Sequence, residues 1–420
     1  MNRETSTDYA HPYRPKLVRF ANRIAGGLSQ LPPFRVELEE ASLIAAAKKQ
    51  TGLSDLGDPS FHEPLQRLIR SVEEEAKLHA LGRIITRTRL VSTLVTRMRL
   101  EKRITDVPAI KDEKLTRPIV IVGLPRTGTT FLHRLLASDT HRIRALMSWE
   151  ALMPVAIDGE TLPRRRMVAA ERSEAALRYL APDFFAVHPI DALGPEEDIL
   201  LLDLAFRSTV PEATMNVPSF AAWLETVDQS PAYQQLARSL RVLQHERRPK
   251  ADAWRWVLKT PHHLEWLEEL PKVLDRPLIV WTHREPREVV GSFCSMIAHG
   301  RGVFSDHVDP KEIGRFWLRK GKRMVERAME ARASIGADNF IDIKYTDLIR
   351  DPMRAVRQIQ ERAGLDWNEA TEKQLLQSLT REVKDRHGKH RYSLADFGLT
   401  DADVDHAFAR YKSEHGLGVR

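Results

Sequence analysis

Gly123-Leu124-Pro125-Arg126-Thr127-Gly128-Thr129-Thr130 has the residue types and spacing of a loop that holds a phosphate. Two glycines let the backbone turn tightly, so that successive N–H groups and the positive end of a following helix surround an anion. A loop of this kind built for nucleoside triphosphates carries Lys at the position of Thr129. Here that cation is missing, and Arg126 supplies a charge at another point of the loop. No hydrophobic strand ends in the aspartate that would hold magnesium, which argues against a kinase or GTPase. A ligand with one 5′-phosphoryl group and no magnesium chelate fits better. Its expected contacts are Arg126, Thr127, Gly128, Thr129 and Thr130.

A second anion site is legible downstream. Arg284 follows an apolar run, and Ser292 stands eight residues later on a helical stretch. A guanidinium at a strand end and a hydroxyl on the next helix converge on one phosphate at that spacing. Alone, such a pair is common on surface helices; after the Gly123–Thr130 loop it gains weight. His262 and His263 provide imidazoles, which need little pKa adjustment to act as bases near neutrality. They are adjacent, not on one helix face, and no Cys or carboxylate set has ligand spacing, so no metal is expected.

The elements that position these residues follow from periodicity. Pro118–Gly123, Trp254–Leu258, Leu278–Thr282 and Phe340–Tyr345 are short runs rich in β-branched and apolar residues, as in buried parallel strands. Helical patterns separate them, at about 129–138, 264–275, 287–298 and 310–333. Strand alternating with helix predicts an α/β fold, a central parallel sheet covered on both faces. Residues 150–250 read as mostly helical and are expected to cap the carboxyl edge of the sheet, where substrates of such folds bind. A long helix, kinked or divided at Gly82, is expected from about Pro64 to Ile104. Residues 1–35 read as a loosely packed arm. The domain expectation is a helical N-terminal extension over 1–112 and a catalytic domain over 113–420.

Leu124-Pro125-Arg126-Thr127-Gly128-Thr129-Thr130 resembles the 5′-phosphosulfate loop of sulfotransferases that use 3′-phosphoadenosine 5′-phosphosulfate (PAPS). The resemblance is to the branch containing the protein tyrosylsulfotransferases and bacterial enzymes of unassigned substrate, and it covers about 115–400. It implies a three-layer fold like that of P-loop nucleoside triphosphatases, with PAPS as co-substrate and transfer of a sulfuryl group to a hydroxyl or amine. Arg284 and Ser292 resemble the family's 3′-phosphate motif. Trp256-Val257-Leu258-Lys259-Thr260-Pro261 resembles a segment whose lysine reaches the sulfuryl group and its bridging oxygen. Negative charge builds on the leaving 5′-phosphate during transfer, and a fixed ammonium there lowers the barrier. Lys389-His390-Arg391-Tyr392-Ser393, ahead of Asp396-Phe397-Gly398-Leu399, is similar to a segment of bacterial members; it is expected either to close over the nucleotide or to form a solvated basic loop.

A general base must reach the acceptor. Glu150 lies in the region where tyrosylsulfotransferases carry their catalytic glutamate, though the separation from Arg126 is not identical. It ranks first, His262 or His263 second, with His188 and Glu196-Glu197-Asp198 as further candidates. Competing readings are a kinase using ATP through a degenerate loop and a nucleotide-binding regulator without chemistry.

Bulk composition is compatible with this reading. The 420 residues are 42% hydrophobic and 29% charged, as in ordinary globular proteins. A net charge of +7 is spread along the chain among 58 acids with no nucleic-acid-binding signature, so an anionic ligand is expected rather than nucleic acid. No apolar run approaches the roughly 20 residues of a membrane span, and no secretory signal is visible. The single cysteine, Cys294, fits a reducing compartment, with cytoplasm the default. The acceptor is expected to be a small molecule, glycan or lipid.

Overall fold

The computed structural model describes residues 6–28, 36–157, 160, 162–249, 251–381 and 392–418. Helices α1 (Lys16–Leu28), α2 (Glu40–Thr51), α3 (His62–Glu74) and α4 (Ala80–Asp106) precede the sheet. The chain therefore divides at 75–79, not at Gly82. Gly82 lies inside α4, where a Cβ would come within 2.0 Å of the Phe304 carbonyl oxygen. Its role is close approach of two backbones rather than a break. The 1–35 segment also differs from a loose arm: α1 forms within it, and Tyr9 is buried against the rings of His299 and Phe397.

Five parallel strands follow, β1 (Ile119–Val122), β2 (Ile143–Ala145), β3 (Arg255–Lys259), β4 (Leu278–His283) and β5 (Phe340–Lys344), in the order β2-β3-β1-β4-β5. Four correspond to the runs read from the sequence. The edge strand β2 was not expected: it has three residues and carries Arg144 in the middle. Side chains alternate across the pleat. Ile119 and Ile121 join one apolar cluster with Val257, Val280, Ile341 and Ile343; Val120 and Val122 join the other with Trp256, Leu258, Ile279 and Trp281.

Helix α5 (Thr129–Ala137) packs Leu132, Leu135 and Leu136 into the first cluster, together with α10 (Pro352–Arg362) and α11 (Glu369–Arg381). Between β2 and β3 lie mostly helices, the longest being α6 (Arg164–Leu180) and α7 (Ser230–Glu246). On the second face, α8 (Pro286–Gly302) and α9 (Pro310–Ile335) contribute Val289, Ile297, Trp317 and Val325. The result is three layers, helix on sheet on helix. One expected helix is broken up: 264–275 forms two tight 3₁₀ turns and the short helix Leu270–Val273.

Candidate active site

Parallel register brings the site residues to one edge. Ile121 pairs with Lys259 and Val122 with Trp281, so β1, β3 and β4 all end beside the Gly123–Gly128 loop. Gly123, Arg126 and Gly128 have φ of 152°, 72° and 90°, and that sequence of turns carries the chain from β1 into α5. A Cβ on Gly123 would lie 2.3 Å from Thr282 Oγ1, so only glycine fits there. The Thr127 hydroxyl turns inward, donating to the Leu124 carbonyl at 2.7 Å and lying 2.7 Å from Thr282 Oγ1. Thr127 thus ties the loop to β4, and only its backbone is left to face a ligand.

A cleft of about 440 Å³ opens over the loop, lined by Arg126, Gly128, Thr129, Thr130, Arg284 and Tyr345 among others. Arg284 donates to the Arg126 carbonyl at 3.0 Å and to Glu288 at 2.9 Å, and lies 4.1 Å above the Tyr345 ring. Arg126 Nε donates to Ser292 Oγ at 3.2 Å. Two guanidiniums therefore meet in this cleft, and the buried Ser292 hydroxyl backs one of them. Tyr392 lies beside them: its ring is 3.0 Å from where a Cβ on Gly291 would stand, and its hydroxyl is 3.4 Å from the Glu288 carbonyl. Lys389, His390 and Arg391 lie outside the described residues.

Next to Thr130 of the loop, Lys259 Nζ is 3.5 Å from Thr130 Oγ1 and 2.5 Å from Glu197 Oε1. The Lys259 backbone N–H donates to Asp198 at 3.0 Å, and the other Asp198 oxygen is 2.8 Å from His263 Nε2. Burial opposes the Asp198 charge. His263, the Asp198 N–H and the Lys259 N–H outweigh it and hold that carboxyl below its usual range. Next to this group is His188, whose imidazole is pushed down to about 4 by burial, opposed by Glu197 and reinforced by Lys259, Arg126 and Arg134. It is neutral near pH 7. Burial raises the Glu196 carboxyl against the pull of Lys259.

The first-ranked bases are placed elsewhere or already engaged. Glu150 is buried in a bidentate pair with Arg144 at 2.9 and 2.7 Å, accepts a further bond from Arg247 at 3.0 Å, and accepts the Met147 N–H at 3.1 Å. All four donors hold it in a structural position. His263 uses its second nitrogen on Tyr233 at 2.9 Å. His262 is buried against Trp266, and burial, with the neighbouring His263 and Lys320, drives its pKa well down. The ion-paired Lys259–Glu197 contact was not singled out by sequence. The signal was the adjacent acids of Pro195-Glu196-Glu197-Asp198, but only the fold brings Asp198 to the β3 backbone.

A second groove of about 840 Å³ adjoins the site through α5 and α11: Phe131 and Leu379 line the cleft, Arg134 and Ser378 the groove. It continues past Arg144, Phe185, Pro195 and Arg247. Most of its cations are already paired, Arg144 and Arg247 with Glu150, Arg178 with Glu174 and Arg248 with Glu113. Among the described residues, His283, Asp342 and His415 have ligand atoms close enough to share a metal. Asp342, however, already holds Arg332 through two 2.7 Å bonds, a poor setting for a cation.

The family model described as the sulfotransferase family matches residues 118–369. Among solved structures, sulfotransferase STF1 from Mycobacterium tuberculosis is 31% identical over 89% of this chain and 98% of its own, with a TM-score of 0.74. Sulfotransferase STF9 from Mycobacterium avium is 28% identical over 91% of this chain and 98% of its own, with a TM-score of 0.81. By sequence, no curated protein matches the chain.

Proposed function

The chain belongs to the sulfotransferase family and is a PAPS-dependent enzyme, and from that premise we propose how its cleft performs the transfer. The Gly123–Thr130 loop holds the 5′-phosphosulfate with its N–H groups. Arg284, Arg126 and Ser292 hold the 3′-phosphate. Lys259, now paired with Glu197, turns to the bridging oxygen and stabilises charge on the leaving phosphate. The acceptor enters along the Arg134–Arg247 groove and presents a hydroxyl or amine to sulfur. Glu197, released by the turn of Lys259, takes its proton, with neutral His188 beside it.

The observation that carries this reading is the 2.5 Å Lys259–Glu197 contact at the carboxyl edge of the sheet, next to Thr130 of the loop. It joins the two groups that in-line transfer requires, one for the leaving oxygen and one for the acceptor proton. The buried Cys294 suits a reducing compartment, and among the described residues no helix is long and apolar enough to cross a membrane.

The test is transfer of label from PAPS to a panel of phenols, alcohols and amines, in EDTA. Sulfated product should form, and Lys259→Ala should lower kcat by on the order of 10²–10³, as loss of a transition-state donor does. Magnesium-dependent phosphorylation of the same panel from ATP would contradict the proposal.

A further inference from the structure

Helix α1 leaves an apolar face in solvent. Val18 is buried and Asn22 accepts the Leu81 N–H at 2.9 Å, so one side of the helix docks on the start of α4. On the opposite side Leu17, Phe20 and Ile24 are 72, 64 and 48% exposed, and their i, i+3, i+7 spacing makes one continuous strip. Large apolar side chains grouped this way on a surface mark an interaction site, whereas single ones do not. Lys16, Arg19 and Arg23 project along one flank of the strip, and none forms an ion pair with a described residue. No acidic residue occurs anywhere in Lys16–Leu28.

We propose that this face is a membrane-surface anchor, with the apolar strip inserted at the headgroup boundary of an anionic bilayer and the three cations against its phosphates. An exposed apolar strip bordered by cations, none of them ion-paired to a described residue, is the pattern of helices that lie in a bilayer interface. Charge decides between occupants. A second copy of this chain would set three like charges against three, whereas anionic lipid complements them. The site is separate from the transfer cleft, so it governs where the enzyme works rather than its chemistry. Bound there, the enzyme is held near acceptors that reside in or at a membrane.

Flotation of the full chain with vesicles of phosphatidylcholine, with and without about one-third phosphatidylglycerol, tests it. The protein should float with the anionic vesicles and remain unbound on the neutral ones, since each cation near the surface adds about fivefold to binding, about a hundredfold for three. Leu17→Asp combined with Phe20→Asp should abolish flotation while binding of 3′-phosphoadenosine 5′-phosphate (PAP) and the circular dichroism spectrum stay unchanged. Both side chains are exposed, so folding is not at stake. Retained nucleotide binding separates failure here from failure of the transferase reading. No flotation with either vesicle, or equal flotation with both, overturns the proposal. So does a dimer by light scattering that Phe20→Asp dissociates, which would show that a second copy covers the strip.

Discussion

Glu150 and Glu197 both sit against cations, but what surrounds them differs. Glu150 is enclosed by four donors from Arg144, Arg247 and Met147, with no free position for an acceptor hydroxyl. Among the described residues Glu197 pairs with Lys259, to which the proposed mechanism assigns the leaving oxygen. Glu197→Gln should therefore lower kcat by about 10²–10⁴, the range for general-base catalysis, with PAP binding retained. Glu150→Gln should instead cost about 3 kcal/mol of stability, because it leaves the buried Arg144 guanidinium short of its counter-charge. Denaturant melts and kcat on both variants separate the roles. A stable but inactive Glu150→Gln would return the base to Glu150. Sequence identified both residues as candidates, since type and neighbourhood are visible there. It placed Glu150 ahead of Glu197, and the geometry favours the reverse order, because Arg247 and Lys259 reach them only through the fold.

Strand positions were legible because buried parallel strands are nearly continuous apolar runs, as Ile119–Val122 and Leu278–Trp281 are. β2 lacked that signal: Arg144 interrupts it, and its guanidinium is neutralised only by Glu150 after folding. The 264–275 segment misled for another reason. Leu264, Leu267 and Leu270 are fully buried at a strict spacing of three, which suits 3₁₀ turns rather than the 3.6 period of an α-helix. Gly82 likewise signalled a break but marks a contact. Gly82→Ala should destabilise the protein by about 1–3 kcal/mol through overpacking against Phe304, read as a lower denaturant midpoint. A change below a few tenths would show that α4 can shift away.

Helix α5 carries a pH signature as well. His133 lies on its buried face, and burial, assisted by the Lys259 charge, pushes its pKa down to about 3. An imidazole depressed in the folded state binds its proton more readily when unfolded. Stability is therefore intact above the unfolded value near 6.5 and falls as pH drops below it. Between pH 7 and 5 His133 should account for about 2 kcal/mol of lost stability. His133→Gln should flatten that part of the pH–stability curve, and an unchanged slope would contradict its burial as the cause.

Across the whole molecule, residues 9–14 reach back to α8. Ser295 donates to the Tyr9 hydroxyl at 2.9 Å, and Arg14 donates to the Gly302 carbonyl at 2.5 Å and, just past the helix, to the Ser305 carbonyl at 2.9 Å, so residues 9–14 brace the helix that also presents Ser292. Composition alone gave no hint of this: the first residues have no period, and their contacts are long-range. In the proposed mechanism Arg284, Arg126 and Ser292 recognise the 3′-phosphate. Isothermal titration of wild type and Arg284→Ala with PAP and with adenosine 5′-phosphate tests it most directly. One lost charge-assisted bond is worth about 1.5–3 kcal/mol, so the substitution should weaken PAP about 10–150-fold and leave adenosine 5′-phosphate almost unaffected. Equal losses for the two nucleotides would contradict the assignment.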